Sequence, residues 1–299
     1  MKYQLALASA ALAFACSVTA HAADAVSQEV LEPVAAESRI KGAFEIGGWA
    51  NHYNQTDYPR SDTDYGIYGS AFAHIDVGSG FFVGLDAQGE YLRIDEPDDF
   101  RNYQPSNAGV VGASLNYRSG AVALGVFGGV GGTNNERHEN KNGTPYVAGA
   151  QASFDFGSAT VFGQIGRADI RVNEEDSGFT GTFGKLGMIY GVSENFALAL
   201  DGGYGRAPKD YEDEDDSGKY WTVGLKGALK LTDTMPLFGT AGYEYRKFEA
   251  NTEDSAFEHS FRLGVSYAFG GATTAKDTFN PFQTPITPFR AAAYGEVLD

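Results

Sequence analysis

Between Lys41 and Phe269 the chain repeats one unit about twelve times: a stretch in which apolar and polar residues alternate, then a polar break that is by turns very short and rather long. Hydrocarbon cannot hydrogen-bond a backbone, so a sheet that crosses a membrane must close on itself, and a closed up-and-down sheet gives this rhythm. Short breaks fall at Gly78 to Gly80, Arg118 to Gly120, Gly157-Ser158, Ser193 to Asn195 and Thr232 to Pro236. Longer ones fall at Asn54 to Asp64, Ile94 to Asn107, Gly132 to Thr144, Asn173 to Thr180, Ala207 to Gly218 and Asn251 to Phe257. Six long and five short breaks in strict alternation predict an all-β, antiparallel transmembrane β-barrel of about 12 strands (range 10–16), with short periplasmic turns and long extracellular loops.

The faces of the strands sharpen this reading. Phe81, Val83, Leu85, Ala87 and Tyr91 share one face, and Gly84, Asp86, Gln88 and Glu90 the other. The same split recurs in Phe196, Leu198, Leu200, in Trp221, Val223, Leu225, and in Phe261, Leu263, Val265, Tyr267, Phe269. A core-facing strand has the same period, so alternation alone does not separate barrel from sandwich. Aromatic residues do: Phe81, Tyr117, Phe156, Tyr190, Phe196, Phe238, Tyr267 and Phe269 lie beside short turns, and Tyr91, Tyr146, Tyr204, Trp221, Tyr243 and Tyr245 beside long loops. Two such groups are what the two interfaces of a bilayer select.

The ends and the composition set further bounds. Met1 to Ala22 joins Lys2, an apolar run and Ala20-His21-Ala22, the form of a cleaved signal peptide, followed by a periplasmic segment over 23–40. Cys16 is the only cysteine, so a mature chain has no disulfide and no thiolate metal site. With 22 basic against 39 acidic residues the chain lacks the basic surface that nucleic acid requires. No cofactor motif is present. The acidic run Lys209 to Gly218 fails as an EF-hand, because counting from Asp213 the twelfth place is Gly224 rather than a bidentate Glu, so no metal is expected. His259 and Ser260 are adjacent, hence on opposite faces, and no other His has a partner at a spacing that suggests catalysis; the chain does not read as an enzyme.

At Arg262-Leu263-Gly264-Val265-Ser266-Tyr267-Ala268-Phe269 the sequence resembles the terminal strand of Gram-negative outer-membrane barrels, with Arg262, Gly264, Tyr267 and Phe269 forming the assembly signal. The span 41–269 is similar to porin-like barrels. The resemblance implies the bacterial outer membrane, insertion by the barrel-assembly machinery, a setting of outer-membrane lipid and lipopolysaccharide, and diffusion of small hydrophilic solutes or ions. It says nothing of oligomeric state. One departure is the tail, 270–299, whose Asn280-Pro281-Phe282, Thr284-Pro285 and Thr287-Pro288-Phe289 favour extended backbone over sheet; a periplasmic tail is expected, with a lumenal plug or a docking peptide as alternatives.

If the apolar faces meet lipid, the opposite faces line a lumen. The acidic lining is then Asp76, Asp86, Glu90 and Asp155, and the basic lining Lys185, Lys226, Lys230, Arg246 and Arg262. The two sets fall on different strands, which predicts a field across the pore, broken only by Asp201 and Glu244. Glycines at lumen positions, including Gly84, Gly112, Gly187, Gly224, Gly242 and Gly264, leave room for a narrow channel. The competing readings are a non-conducting surface barrel with acidic loops, and, more remotely, a lipid-active or proteolytic barrel.

Overall fold

A computed structural model describes residues 39–55, 61–93, 107–134, 145–171, 178–208, 217–249 and 255–293. The signal segment, the 23–38 stretch and the acidic run 209–216 lie outside these. Twelve strands form the barrel: β1 Ile40–Gln55, β2 Ser61–Gly78, β3 Phe81–Arg93, β4 Asn107–Ser119, β5 Val122–Asn134, β6 Tyr146–Asp155, β7 Ala159–Arg171, β8 Gly178–Gly191, β9 Phe196–Pro208, β10 Ser217–Lys230, β11 Leu237–Glu249 and β12 Ser255–Phe269. Each pairs antiparallel with its sequence neighbour, and β12 closes on β1 in the register Gly42↔Phe269 to Gln55↔Ala256. Closure leaves no unpaired edge.

Burial is inverted relative to a soluble protein. The exposed side of the alternation carries Ile67, Leu115, Val126, Ile165, Leu186, Leu225 and Leu263, the last 71% exposed. The buried side carries Glu45, Asn51, Asp86, Glu90, Asn116, Gln151, Gln164, Arg246 and Glu258. Burying charge while exposing leucine is unfavourable in water. It is the favourable arrangement when the outside is acyl chain, and this excludes the sandwich reading. Leu225, opposite Leu200 and between the Trp221 and Leu229 levels, sits in mid-belt. Leu225→Arg is expected to cost about 2–4 kcal/mol in reversible urea unfolding from phospholipid vesicles, the depth-dependent cost of a cation on the lipid face; Lys226→Arg, one residue away and inward, should change little.

Two sequence expectations shift. The first long break is shorter than expected, since Ser61 to Asp64 pair with Asn54 to Asn51. A hairpin that extends beyond the apolar belt has water on both sides, so acidic residues no longer disfavour it. Phe238 does not belong to an aromatic girdle: it faces inward and is fully buried beside Ala43, Ala197, Ala228, Ala268 and Ala275. Several of the other girdle rings pair outside, as in Tyr204 with Trp221 (centroids 4.3 Å) and Phe81 with Tyr117 (4.9 Å).

The tail departs most from expectation. Gly270 and Gly271, with φ of +69° and +84°, turn the chain back at the end of β12, a conformation that residues with a Cβ rarely adopt. A 3-10 turn, Ala275–Thr278, crosses the short-turn rim, where the Ala275 N–H donates to the Glu194 carbonyl (2.8 Å) and the Lys276 ammonium meets Asp155 (3.1 Å) and the Gly157 carbonyl (2.6 Å). The chain then ascends to a short helix, α1, Thr287–Ala293. Its contacts fall on β1, β3, β7 and β12 at once, which only a segment inside the cylinder can make. A periplasmic tail therefore does not describe residues 270–293; they fill part of the lumen.

Candidate functional site: the occupied lumen

The inward residues arrange themselves in three levels around the tail. Nearest the short turns, the His74 ring is 3.1 Å from Asn280 Oδ1, while Phe282 packs on Phe82 (centroids 6.0 Å). At mid-depth Asp86 accepts two bonds from Thr284, one from its backbone N–H (3.1 Å) and one from its hydroxyl (3.0 Å). Gln88 donates to the Thr284 carbonyl, and Gln164 to the Gln283 carbonyl (3.2 Å). Gln164 is held in turn by Gln151 (3.1 Å), Gln151 by Asn116 (2.7 Å) and Asn116 by Ser114 (2.8 Å), a polar ladder across β4, β6 and β7.

Nearest the long loops lies a buried ionic cluster. Arg246 bonds Glu90 (2.9 Å), Glu244 (2.7 Å) and Glu258 (3.2 Å). Arg262 bonds Glu90 (2.5 Å) and Glu244 (2.9 Å), and its guanidinium lies 5.8 Å from the Trp49 ring centre. Arg290, from α1, bonds Glu258 (2.6 Å) and stacks at 5.4 Å on Trp49. Around this helix Phe289 is fully buried with Ile286, Phe127, Val147, Ile170, Phe183, Tyr220 and Phe248, an apolar seal supplied by most strands. Three arginines face three glutamates, so the cluster is neutral, and each guanidinium is bonded to at least one carboxylate, as buried charges require.

The lining residues read from sequence are thus placed as follows. Asp86, Glu90, Arg246 and Arg262 are buried inside and meet one another or the tail. Lys185 and Lys226 are inside and half-buried, Lys185 against Asp201 (3.4 Å) and Lys226 against Glu45. Asp76 and Asp155 lie exposed at the short-turn rim, where each accepts a bond from a backbone N–H two residues on, at Gly78 (2.7 Å) and Gly157 (2.8 Å). Lys230 is half-buried near the same rim, its N–H donating to the Asn195 carbonyl (2.8 Å).

The field across the pore does not survive this arrangement. Glu90 of β3 reaches Arg246 of β11 and Arg262 of β12, so opposite walls neutralise each other by contact. Asp201 and Glu244, which interrupt the segregation, are the counter-ions of Lys185 and of Arg246 and Arg262. Glu45, Asn51, Trp49, Gln164 and Glu258 were not singled out from sequence, although the parity that identified Arg262 also places Glu258 and Ser260 inward. His259 faces outward against Tyr243 (Oη to Nδ1 2.8 Å) while Ser260 faces inward to Asn51 (2.8 Å), so these two form no dyad.

Gly264 of the terminal strand faces in, where a Cβ would lie 2.5 Å from the Tyr68 hydroxyl and 3.0 Å from Thr240 Oγ1. Its small size admits the Tyr68 hydroxyl, which donates to Glu45 (2.7 Å). Tyr267 and Phe269 face out beside Phe44 and the short-turn rim.

Space remains beside the tail among the described residues, including two cavities of about 170 and 90 Å³. Both border Ser70, Lys185, Asp201, Lys226 and Gln283, so they lie end to end. They run along the β8 to β11 side, where Gly203, Gly224 and Gly242 replace bulk, and reach β2 and β3 at their edge, while the tail lies chiefly against β3 to β8. This is room for a file of waters and less than the roughly 300–1,000 Å³ of a pocket for a drug-sized molecule.

The fold and its inside-out burial define a transmembrane β-barrel of porin-like architecture. Among solved structures it is similar to the COG4313 outer membrane channel from Pseudomonas putida F1, at 14% identity and a TM-score of 0.53 over 80% of this chain and 100% of that one. It is also similar to the KdgM porin, at 13% identity and a TM-score of 0.43 over 75% of this chain and 99% of that one. No family model matches the sequence, and no curated protein matches it.

Proposed function

We propose that this protein is an outer-membrane channel for small hydrophilic solutes, closed in the present conformation by its own C-terminal segment. The observation that carries the proposal is the pair of contiguous cavities on the β8 to β11 side, lined by Lys185, Lys226, Asp201 and Glu45, beside a tail that blocks the rest of the lumen. A barrel built only as a scaffold has no need of ion pairs that border a cavity at mid-depth. The likeness in fold to an outer membrane channel supports the same reading. Charged, hydrogen-bonding walls favour polar solutes over apolar ones. The terminal residues Arg262, Gly264, Tyr267 and Phe269 serve insertion by the barrel-assembly machinery, and outer-membrane lipid and lipopolysaccharide surround the belt.

Purified protein in planar bilayers is expected to give discrete but infrequent conductance steps, with long silent periods. Lys185→Glu with Lys226→Glu should shift the reversal potential toward cation selectivity, and an unchanged potential in an open channel would remove these lysines from the path. The second reading, a non-conducting surface barrel, draws on the filled lumen itself; folded protein that stays silent under all voltages would favour it.

A further inference from the structure

The tail is held chiefly by contacts that would suit many peptides. Gln88 and Gln164 donate to main-chain carbonyls, and Asp86 receives a main-chain N–H together with a hydroxyl. These groups read an extended backbone rather than a particular side chain, which is how sheet-like peptide sites gain affinity. The facing wall is cut away to fit: a Cβ on Gly129 would lie 2.7 Å from Thr284 Cγ2, one on Gly131 would lie 2.9 Å from the Phe289 ring, and one on Gly112 would overlap the Thr284 hydroxyl. Gly112, one of the glycines that suggested an open pore, makes room for a peptide. At its upper end the occupant places a guanidinium on Glu258, and at its lower end it is joined to the barrel through the Gly270-Gly271 turn.

We propose that the β3 to β8 side of the lumen is a peptide-binding site and that residues 279–290 are its tethered occupant, a stopper whose departure merges the space it fills with the two cavities and opens the conduit. The ligand class is a peptide that presents its main chain and a small hydroxyl residue to Asp86 and then turns into a short helix carrying an arginine six residues later. The proposal rests on the channel reading, yet the two separate experimentally. A polar seat favours exchange, because every bond it makes to the tail is one that water can make in its place.

The test uses the whole chain in a Cys16→Ala background, which contains no other cysteine. Asp86→Cys with Thr284→Cys puts two thiols where side chains now meet at 3.0 Å. Oxidation is expected to join them and to abolish conductance, and reductant should restore the steps. Thr284→Cys alone is expected to react with a water-soluble maleimide in the folded, membrane-inserted barrel. Failure of the disulfide to form, or equal conductance in the oxidised and reduced forms when these conduct, would overturn the proposal. So would a Cys at 284 that never reacts, whether or not the channel conducts. Reaction at 284 in a barrel silent in both redox states would uphold the moving tail and defeat the channel reading.

Discussion

Replacing Arg246 with alanine is expected to lower the stability of the folded barrel by about 3–5 kcal/mol, the cost of breaking a buried ion pair by removing one partner. The side chain has no exposed surface and is bonded to three carboxylates, Glu90, Glu244 and Glu258. Without it, Arg262 and Arg290 must neutralise all three, and Arg290 reaches Glu90 only at 3.7 Å. The excess carboxylate sits among Trp49, Tyr68 and the apolar seal around Phe289, and Glu90 and Glu258 are themselves buried. Arg246→Lys keeps the charge but loses the fork that serves three partners, so it should recover only part of the loss. Urea titration from phospholipid vesicles, followed by Trp fluorescence, reads the effect directly. A loss under about 1 kcal/mol would mean that the cluster is solvated, as surface pairs are.

The second large effect is expected at Phe289, fully buried at the centre of the seal. Truncating a buried Phe to Ala ordinarily costs about 3–5 kcal/mol. Here the cost falls on seating the tail rather than on the barrel, because the twelve strands remain hydrogen-bonded to one another without it. Loss of about 3 kcal/mol raises the unseated fraction roughly 100-fold. Trypsin cleavage after Arg290, now buried on Glu258, should accelerate by a comparable factor, since cleavage tracks the open population when reseating is fast. The urea midpoint of the barrel should scarcely move. The opposite pattern, a shifted midpoint with unchanged cleavage, would show that the tail is part of one cooperative unit.

The strands were legible because their information is local. Alternation names the face of each residue from its neighbours alone, so Asp86, Glu90, Lys226, Arg246 and Arg262 could be placed inside before any contact was known. What those residues touch was not legible, because the distance from β3 to β11 depends on strand number, tilt and stagger, none of which a single strand encodes. Hence Glu90 and Arg246 read as opposite walls of a pore, whereas they bond each other. Phe238 was misplaced for a related reason: an aromatic residue near a turn satisfies the girdle rule by position, while its parity with Thr240 and Gly242 points it inward.

The tail was least legible. Asn280-Pro281-Phe282 and Thr287-Pro288-Phe289 lack any period, and their partners His74, Asp86 and Glu258 lie on distant strands. Gly112 was a signal of the right kind, marking space, but glycine does not say what fills the space. The balance of charge offers a further clue in retrospect: Glu258 has its closest cation in Arg290, from the tail.

Amide hydrogen exchange of residues 279–290 in lipid nanodiscs tests the central claim most directly. If this segment sits in the lumen bonded to Asp86, Gln88, Gln164 and Glu258, the Thr284 amide should be strongly protected, exchanging far more slowly than in the isolated peptide. Exchange at the rate of the free peptide, with the strands themselves protected, would place the segment outside the barrel and contradict the account.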